Sequence, residues 1–138
     1  MVARVQIHCI PRPGKAGAVR QVHTADPKFC FHHINAYETG TGEVVIDTLG
    51  ANFISFDMDL ASMTTHRYQD PENSTTIRRL VARPDAAAVT EHDLRVVPGM
   101  SGVCEFAAQL PPALTGRPHH VTFCAVRCSS RALVAGLL

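Results

Sequence analysis

The sequence predicts an all-β fold of antiparallel strands with one short helical insert. Short β-type runs recur along the chain between turn residues, and two of them are joined by a glycine-bearing loop of hairpin length. The strands also come at the spacing of four-stranded propeller blades. By that count 138 residues supply about two blades, whereas a closed propeller needs at least about four. The expected architecture is therefore a fragment of a β-propeller.

The elements follow in order. Ala3 to Ile10 is strand-like and ends at Pro11-Arg12-Pro13-Gly14, a run of turn formers. Ala18 to Thr24 is a second strand, stopped by Asp26-Pro27. Phe29 to Glu38 is the third, and Thr39-Gly40-Thr41-Gly42 turns it back into Glu43 to Leu49 as a β-hairpin. Beyond Gly50, Phe53-Ile54-Ser55-Phe56 is a brief apolar run. Asp57 to His66 is predicted as the helical insert, with Asp57 or Asp59 as cap and Leu60 and Met63 on one face. Tyr68 to Ser74 reads as a polar loop, after which strands resume at Thr75 to Ala82, Asp93 to Val97 and Gly102 to Ala107. Leu110 to Pro118 is a proline- and glycine-bearing connection, and His119 to Val126 is the last clear strand. In the tail, Ser129-Ser130 would cap a helix of one or two turns through Leu133, Val134 and Leu137.

Apolar residues make up 46% of the chain and charged residues 18%, a balance that suits a packed interior rather than a disordered polymer. The net charge is +1 and the basic residues are scattered, which argues against nucleic acid as a partner. Five cysteines at uneven spacing read as reduced thiols of an intracellular compartment, not a disulfide framework. No apolar run approaches the length of a membrane span. Met1 leads almost at once into a strand-like run with no leader pattern, as expected of a chain that begins inside a fold.

Phe31-His32-His33-Ile34-Asn35-Ala36-Tyr37-Glu38 is the most informative stretch. Neutral imidazole is a common metal ligand, and a strand can hold its ring by packing. Strict alternation places His32, Ile34 and Ala36 on one side and Phe31, His33, Asn35 and Tyr37 on the other, so one histidine of the pair faces a given pocket. A metal-bound imidazole usually donates its other N–H to a carboxylate or carbonyl.

This stretch resembles the iron-ligand motif of the carotenoid cleavage oxygenases, Phe-His-x-x-Asn-Ala-x-Glu. The resemblance implies a seven-bladed propeller whose Fe(II) is held by four histidines from separate inner strands, and it identifies His32 as one of the four. Cys104-Glu105-Phe106 is similar to the family's Glu-Phe-Pro motif, with Ala107 standing where the family usually has proline. It implies that Glu105 accepts the second N–H of the metal-bound ring. Gly116-Arg117, followed by His119-His120-Val121-Thr122-Phe123, looks like the strand that follows this glutamate. The likeness covers residues 1–126 as a partial propeller domain, leaving 127–138 as a tail without family motifs.

His8, His23, His66 and His92 stand in no run like the other ligand motifs and read as surface or packing residues. The resemblance implies an Fe(II)-dependent, non-haem dioxygenase acting on carotenoids or apocarotenoids with O2, and peripheral membrane contact for the complete protein. Plant and algal relatives work in plastids, although no import signal is visible here. With one iron ligand, the chain alone is expected to be inactive.

Two other classes compete. His119-His120 with Cys124 and Cys128 has the residue types of a zinc module, but on a strand these side chains span too far to converge. A small β-domain that only binds partners or lipophilic ligands is the other, and such a module needs no carboxylate behind His32. Nucleophilic chemistry at a cysteine is disfavoured, because none sits beside a basic cluster that would lower its pKa.

Overall fold

A computed structural model describes residues 4–24, 29–51, 76–94, 104–105, 110–127 and 133–137. Among these residues are nine strands: β1 (Gln6–Cys9), β2 (Arg20–His23), β3 (Phe29–Glu38), β4 (Val44–Ala51), β5 (Thr76–Ala82), β6 (Thr90–Leu94), β7 (Cys104–Glu105), β8 (Phe123–Arg127) and β9 (Leu133–Leu137). They form three sheets, β1-β2, β3-β4-β5-β6 and β7-β8-β9, with every named pairing antiparallel. The middle sheet is a four-stranded meander, the form of one propeller blade.

The hairpin between β3 and β4 forms where the sequence places it. Thr39 N–H bonds to the Glu43 carbonyl at 2.8 Å, and Gly42, at φ +80°, returns its N–H to the Thr39 carbonyl at 3.0 Å. Thr39 Oγ1 also accepts from the Glu43 N–H, so the turn is closed by side chain as well as backbone.

The two faces of the blade bury different chemistry. On one, Val44, Ile46, Leu80 and Ala82 pack with Ile7 and Val22 of the β1-β2 hairpin and with Val89. That hairpin is held to the blade by backbone bonds from His23 N–H to the Ala87 carbonyl and from Val89 N–H to the His23 carbonyl. The Arg20 guanidinium adds bonds to the carbonyls of Ala82 and Arg83. The opposite face carries Val45, Leu49 and Ile77, all buried, around a buried ion pair. Asp47 on β4 is 2% exposed and accepts two hydrogen bonds from its cross-strand partner Arg79, at 2.8 and 2.9 Å. This fork-to-fork geometry raises the Arg79 pKa above its ordinary value, chiefly through the hydrogen bond to Asp47.

Three sequence expectations are corrected. The strand expected at Asp93 to Val97 starts earlier, at Thr90. Its residues Thr90-Glu91-His92-Asp93 show little apolar alternation, because β6 is an edge strand with mostly exposed side chains. The strand expected from His119 begins only at Phe123, since His119 and Thr122 are drawn into side-chain hydrogen bonds before the ladder starts. The helix expected through Leu133, Val134 and Leu137 is instead β9, paired along its length with β8. Leucine and alanine favour a helix while valine and glycine do not, and in so short a stretch the available ladder on β8 decides the conformation. The helical insert expected at Asp57 to His66 lies outside the described residues.

Leu49 is fully buried, so Leu49→Ala should cost about 2–5 kcal/mol of stability, read as a lower urea midpoint with unchanged slope. Arg79→Ala strands the Asp47 carboxylate in the interior and should cost about 3–5 kcal/mol. The double variant Asp47→Ala/Arg79→Ala should recover part of that loss, and strictly additive costs would refute the coupling.

Candidate functional site

The site begins with the pairing of β3. Along β3 and β4 the partners are Cys30↔Gly50, His32↔Leu49, His33↔Thr48 and Asn35↔Asp47, with register shifts between Cys30 and His32 and between His33 and Asn35. Phe31 and Ile34 are thus the extra residues of two β-bulges, and each reverses the side on which the following residues fall. This corrects the strict alternation read from sequence. Cross-strand partners share a face, so His32, Asn35 and Tyr37 lie with Leu49, Asp47 and Val45. Cys30, His33 and Ala36 lie with Gly50, Thr48 and Ile46 on the β1-β2 side.

His32 and His33 therefore face opposite sides, as expected, but His32 has Asn35 rather than Ala36 beside it. The His32 side chain is exposed on this edge strand. Its carbonyl, within the bulged segment, accepts from Thr48 Oγ1 at 2.9 Å. Cys30 Sγ touches the same hydroxyl, and His33 Nδ1 lies 3.8 Å from that sulfur. Cys30, His33 and Thr48 line one wall of a groove of about 320 Å³ between the β1-β2 hairpin and the blade.

Three residues after His32, Asn35 is buried and makes the densest set of polar contacts in the region. Its Oδ1 accepts from the Gly116 N–H at 2.9 Å. Its Nδ2 donates to the Arg117 carbonyl at 3.0 Å and to His119 Nδ1 at 3.1 Å, with the Leu114 carbonyl at 3.4 Å. The loop it grips is two consecutive turns, closed by Leu114 N–H to the Pro111 carbonyl and Arg117 N–H to the Leu114 carbonyl. Gly116 sits at φ +74°, a conformation that favours glycine and that aims its N–H at Asn35.

His119 continues the network into the interior. Because Nδ1 accepts from Asn35, the neutral ring carries its proton on Nε2. Nε2 is 3.1 Å from Thr122 Oγ1 and 3.6 Å from Asp47 Oδ2, and the ring meets Tyr37 edge-on at 6.2 Å. Asn35, Asp47, His119 and Thr122 are all buried. Sequence reasoning gave this network no role. Asn35 and Gly116-Arg117 stand in family-like motifs, but nothing in their spacing says that they meet.

Glu105 lies on β7 opposite Ala125, in a different sheet from His32, and its side chain is outside the described residues. Cys128 lies outside them as well. In the zinc cluster considered above, His119 has both ring nitrogens engaged within the protein. Among the described residues, no three of His, Cys, Asp and Glu converge as a metal site. His8 and His92 are exposed and His23 is half-buried, while His66 lies outside the described residues.

The fold agrees with comparisons to known proteins. The family model of retinal pigment epithelial membrane protein matches residues 3–137, a span that includes β9. No curated protein matches the chain by sequence. Among solved structures, cobalt-substituted apocarotenoid oxygenase of Synechocystis is 25% identical, with a TM-score of 0.69 over 95% of this chain. A chimera of apocarotenoid oxygenase and RPE65 is 24% identical, with a TM-score of 0.70 over 95% of this chain. Lignostilbene dioxygenase of Pseudomonas brassicacearum shares the fold at 17% identity, with a TM-score of 0.67 over 93% of this chain. The chain spans 25% of the length of each of these three proteins. Among its described residues it is all-β with antiparallel sheets, a fragment of their propeller fold. With nearly its whole length matched, the chain belongs to the retinal pigment epithelial membrane protein family.

Proposed function

We propose that this chain is part of a non-haem, Fe(II)-dependent oxygenase that cleaves a carbon–carbon double bond of a carotenoid or apocarotenoid with O2. The reaction balances without another reductant: the C=C and O–O bonds break, and two C=O bonds form. The observation that carries the reading is His32, exposed on an edge strand within the motif the family uses for an iron ligand. The solved relatives support it in the coarser sense that their names are those of an apocarotenoid oxygenase and a lignostilbene dioxygenase.

The geometry fits one donor. The blade has two edges, and β6 carries exposed Thr90, His92 and Asp93, a polar edge suited to solvent. On this reading β3 is the edge turned to the central channel, and His32 would be directed to an axis that other blades complete. Iron, when bound, would supply the redox chemistry for the reaction of O2 with the polyene. His32 would hold it through a ring nitrogen, and Glu105 would accept the ring's other N–H and fix its direction. The other donors would come from the length of the relatives that this chain does not span.

A lone imidazole binds Fe(II) weakly, which governs how the proposal is tested. Co(II) titrated into the isotope-labelled chain should broaden NMR signals around His32 first. His32→Ala should abolish that focus, whereas His33→Ala, on the opposite face, should leave it in place; broadening centred elsewhere would sink the assignment. Glu105→Gln should weaken Co(II) binding about tenfold or more, measured by the same titration. Given Fe(II), O2 and β-carotene or an apocarotenal, the chain alone should release no aldehyde detectable by chromatography. Robust aldehyde formation would mean that the 138 residues hold a complete centre.

A further inference from the structure

We propose that Asn35 is a positioning residue for His32: its carboxamide locks the turn loop at residues 110–118 onto β3 and thereby fixes where the His32 imidazole stands. This rests on the reading of His32 as a metal ligand. The contacts set Asn35 apart from an ordinary buried amide. Both ends of its side chain are used, the oxygen by the Gly116 N–H and the nitrogen by the Arg117 carbonyl and His119 Nδ1. Every bond reaches a segment about eighty residues away in sequence, so the side chain is a tertiary clamp and not a local turn.

Its place on β3 gives the clamp its purpose. The ladder is loosest at the two bulges that flank the His32–His33 pair. A ladder interrupted twice in five residues defines the direction of an intervening side chain poorly. Two side-chain bonds restore definition, one on each side of the bulged pair. Thr48 Oγ1 holds the His32 carbonyl from the β4 side, and Asn35 holds the next paired residue of the same face from the loop side. His119 braces Asn35 in turn, with Asp47 and Thr122 at its Nε2 and Arg79 fixing Asp47. No member of this set other than His32 needs to touch metal or substrate.

Asn35→Asp tests this with almost no change of shape. A carboxylate still accepts from the Gly116 N–H but faces the Arg117 carbonyl and the His119 Nδ1 lone pair with nothing to donate. The experiment is a Co(II) titration of the full 138-residue chain, with the His32 ring signals followed by NMR and the melting temperature recorded alongside. Asn35→Asp should shift the His32 ring signals in the metal-free chain and weaken Co(II) binding about tenfold. Val22→Ala, in the core on the far side of the blade, controls for stability: it should lower the melting temperature but leave the ring signals and Co(II) affinity unchanged.

Unchanged ring signals in Asn35→Asp, or equal losses of affinity in Asn35→Asp and Val22→Ala, would overturn the proposal. If His32→Ala leaves Co(II) affinity unaltered, the metal reading fails by itself, and the metal-free ring signals still decide whether Asn35 positions His32. Should Asn35→Asp not fold, His119→Asn removes one of the clamp's partners and spares Gly116 and Arg117. It should give a smaller shift of the same ring signals, and none would again overturn the proposal.

Discussion

The phase of one strand organises this structure. A β-strand has a side-chain period of two, so each residue inserted into its ladder exchanges the faces of everything that follows. β3 contains two such insertions within five residues, and together they put His32, Asn35 and Tyr37 on one face of the blade. Had the strand been regular, His32 would share a face with Ala36, and Asn35 would lie with His33 toward the β1-β2 hairpin. The loop that Asn35 grips would then have no partner on β3, and the Asp47–His119 contact would lose the amide that sets the ring's tautomer.

The two faces of the blade solve different problems. The face against β1 and β2 is apolar, and burial alone suffices to hold a hairpin there, since the hydrophobic effect is strong but tolerant of small displacements. The face beneath the loop at residues 110–118 uses directional bonds: a two-bond ion pair, an amide with three close partners and a histidine with both nitrogens engaged. Such networks gain little net stability over apolar packing, but they tolerate few alternative geometries. Directional bonding on the face that carries His32 suits a side chain whose aim matters more than its burial.

Much of the fold was legible because it follows from local rules. Alternating and β-branched runs marked β1 to β5, and Thr39-Gly40-Thr41-Gly42 marked the hairpin, since turn chemistry is local. β6 and β9 were misread for opposite reasons. The first is a polar edge strand with no apolar period to find, and the second is apolar but owes its conformation to the neighbouring β8. At the site, the Phe31-to-Glu38 run identified the strand and the candidate ligand. It could not show the bulges, because Phe31 and Ile34 are ordinary strand formers and no glycine marks either insertion. It could not show the clamp either, because a bond between residues 35 and 116 leaves no trace in the spacing of either segment.

The proportion between structure and proposed chemistry is itself informative. Among the described residues there is one complete four-stranded meander, flanked by sheets of two and three strands, and it carries one histidine at the motif position. A metal held at a propeller axis by donors from separate inner strands needs each contributing blade to aim its own side chain. On the proposed reading the donor's strand is held by its own ladder and the loops packed on it, while Glu105 of another sheet would set the ring. If His32 is such a donor, its strand is held by a hydroxyl on the His32 carbonyl and an amide three residues further on, both supplied by this chain. Under the proposed reading, the contacts that would aim His32 lie within this chain, and other blades would add the remaining donors.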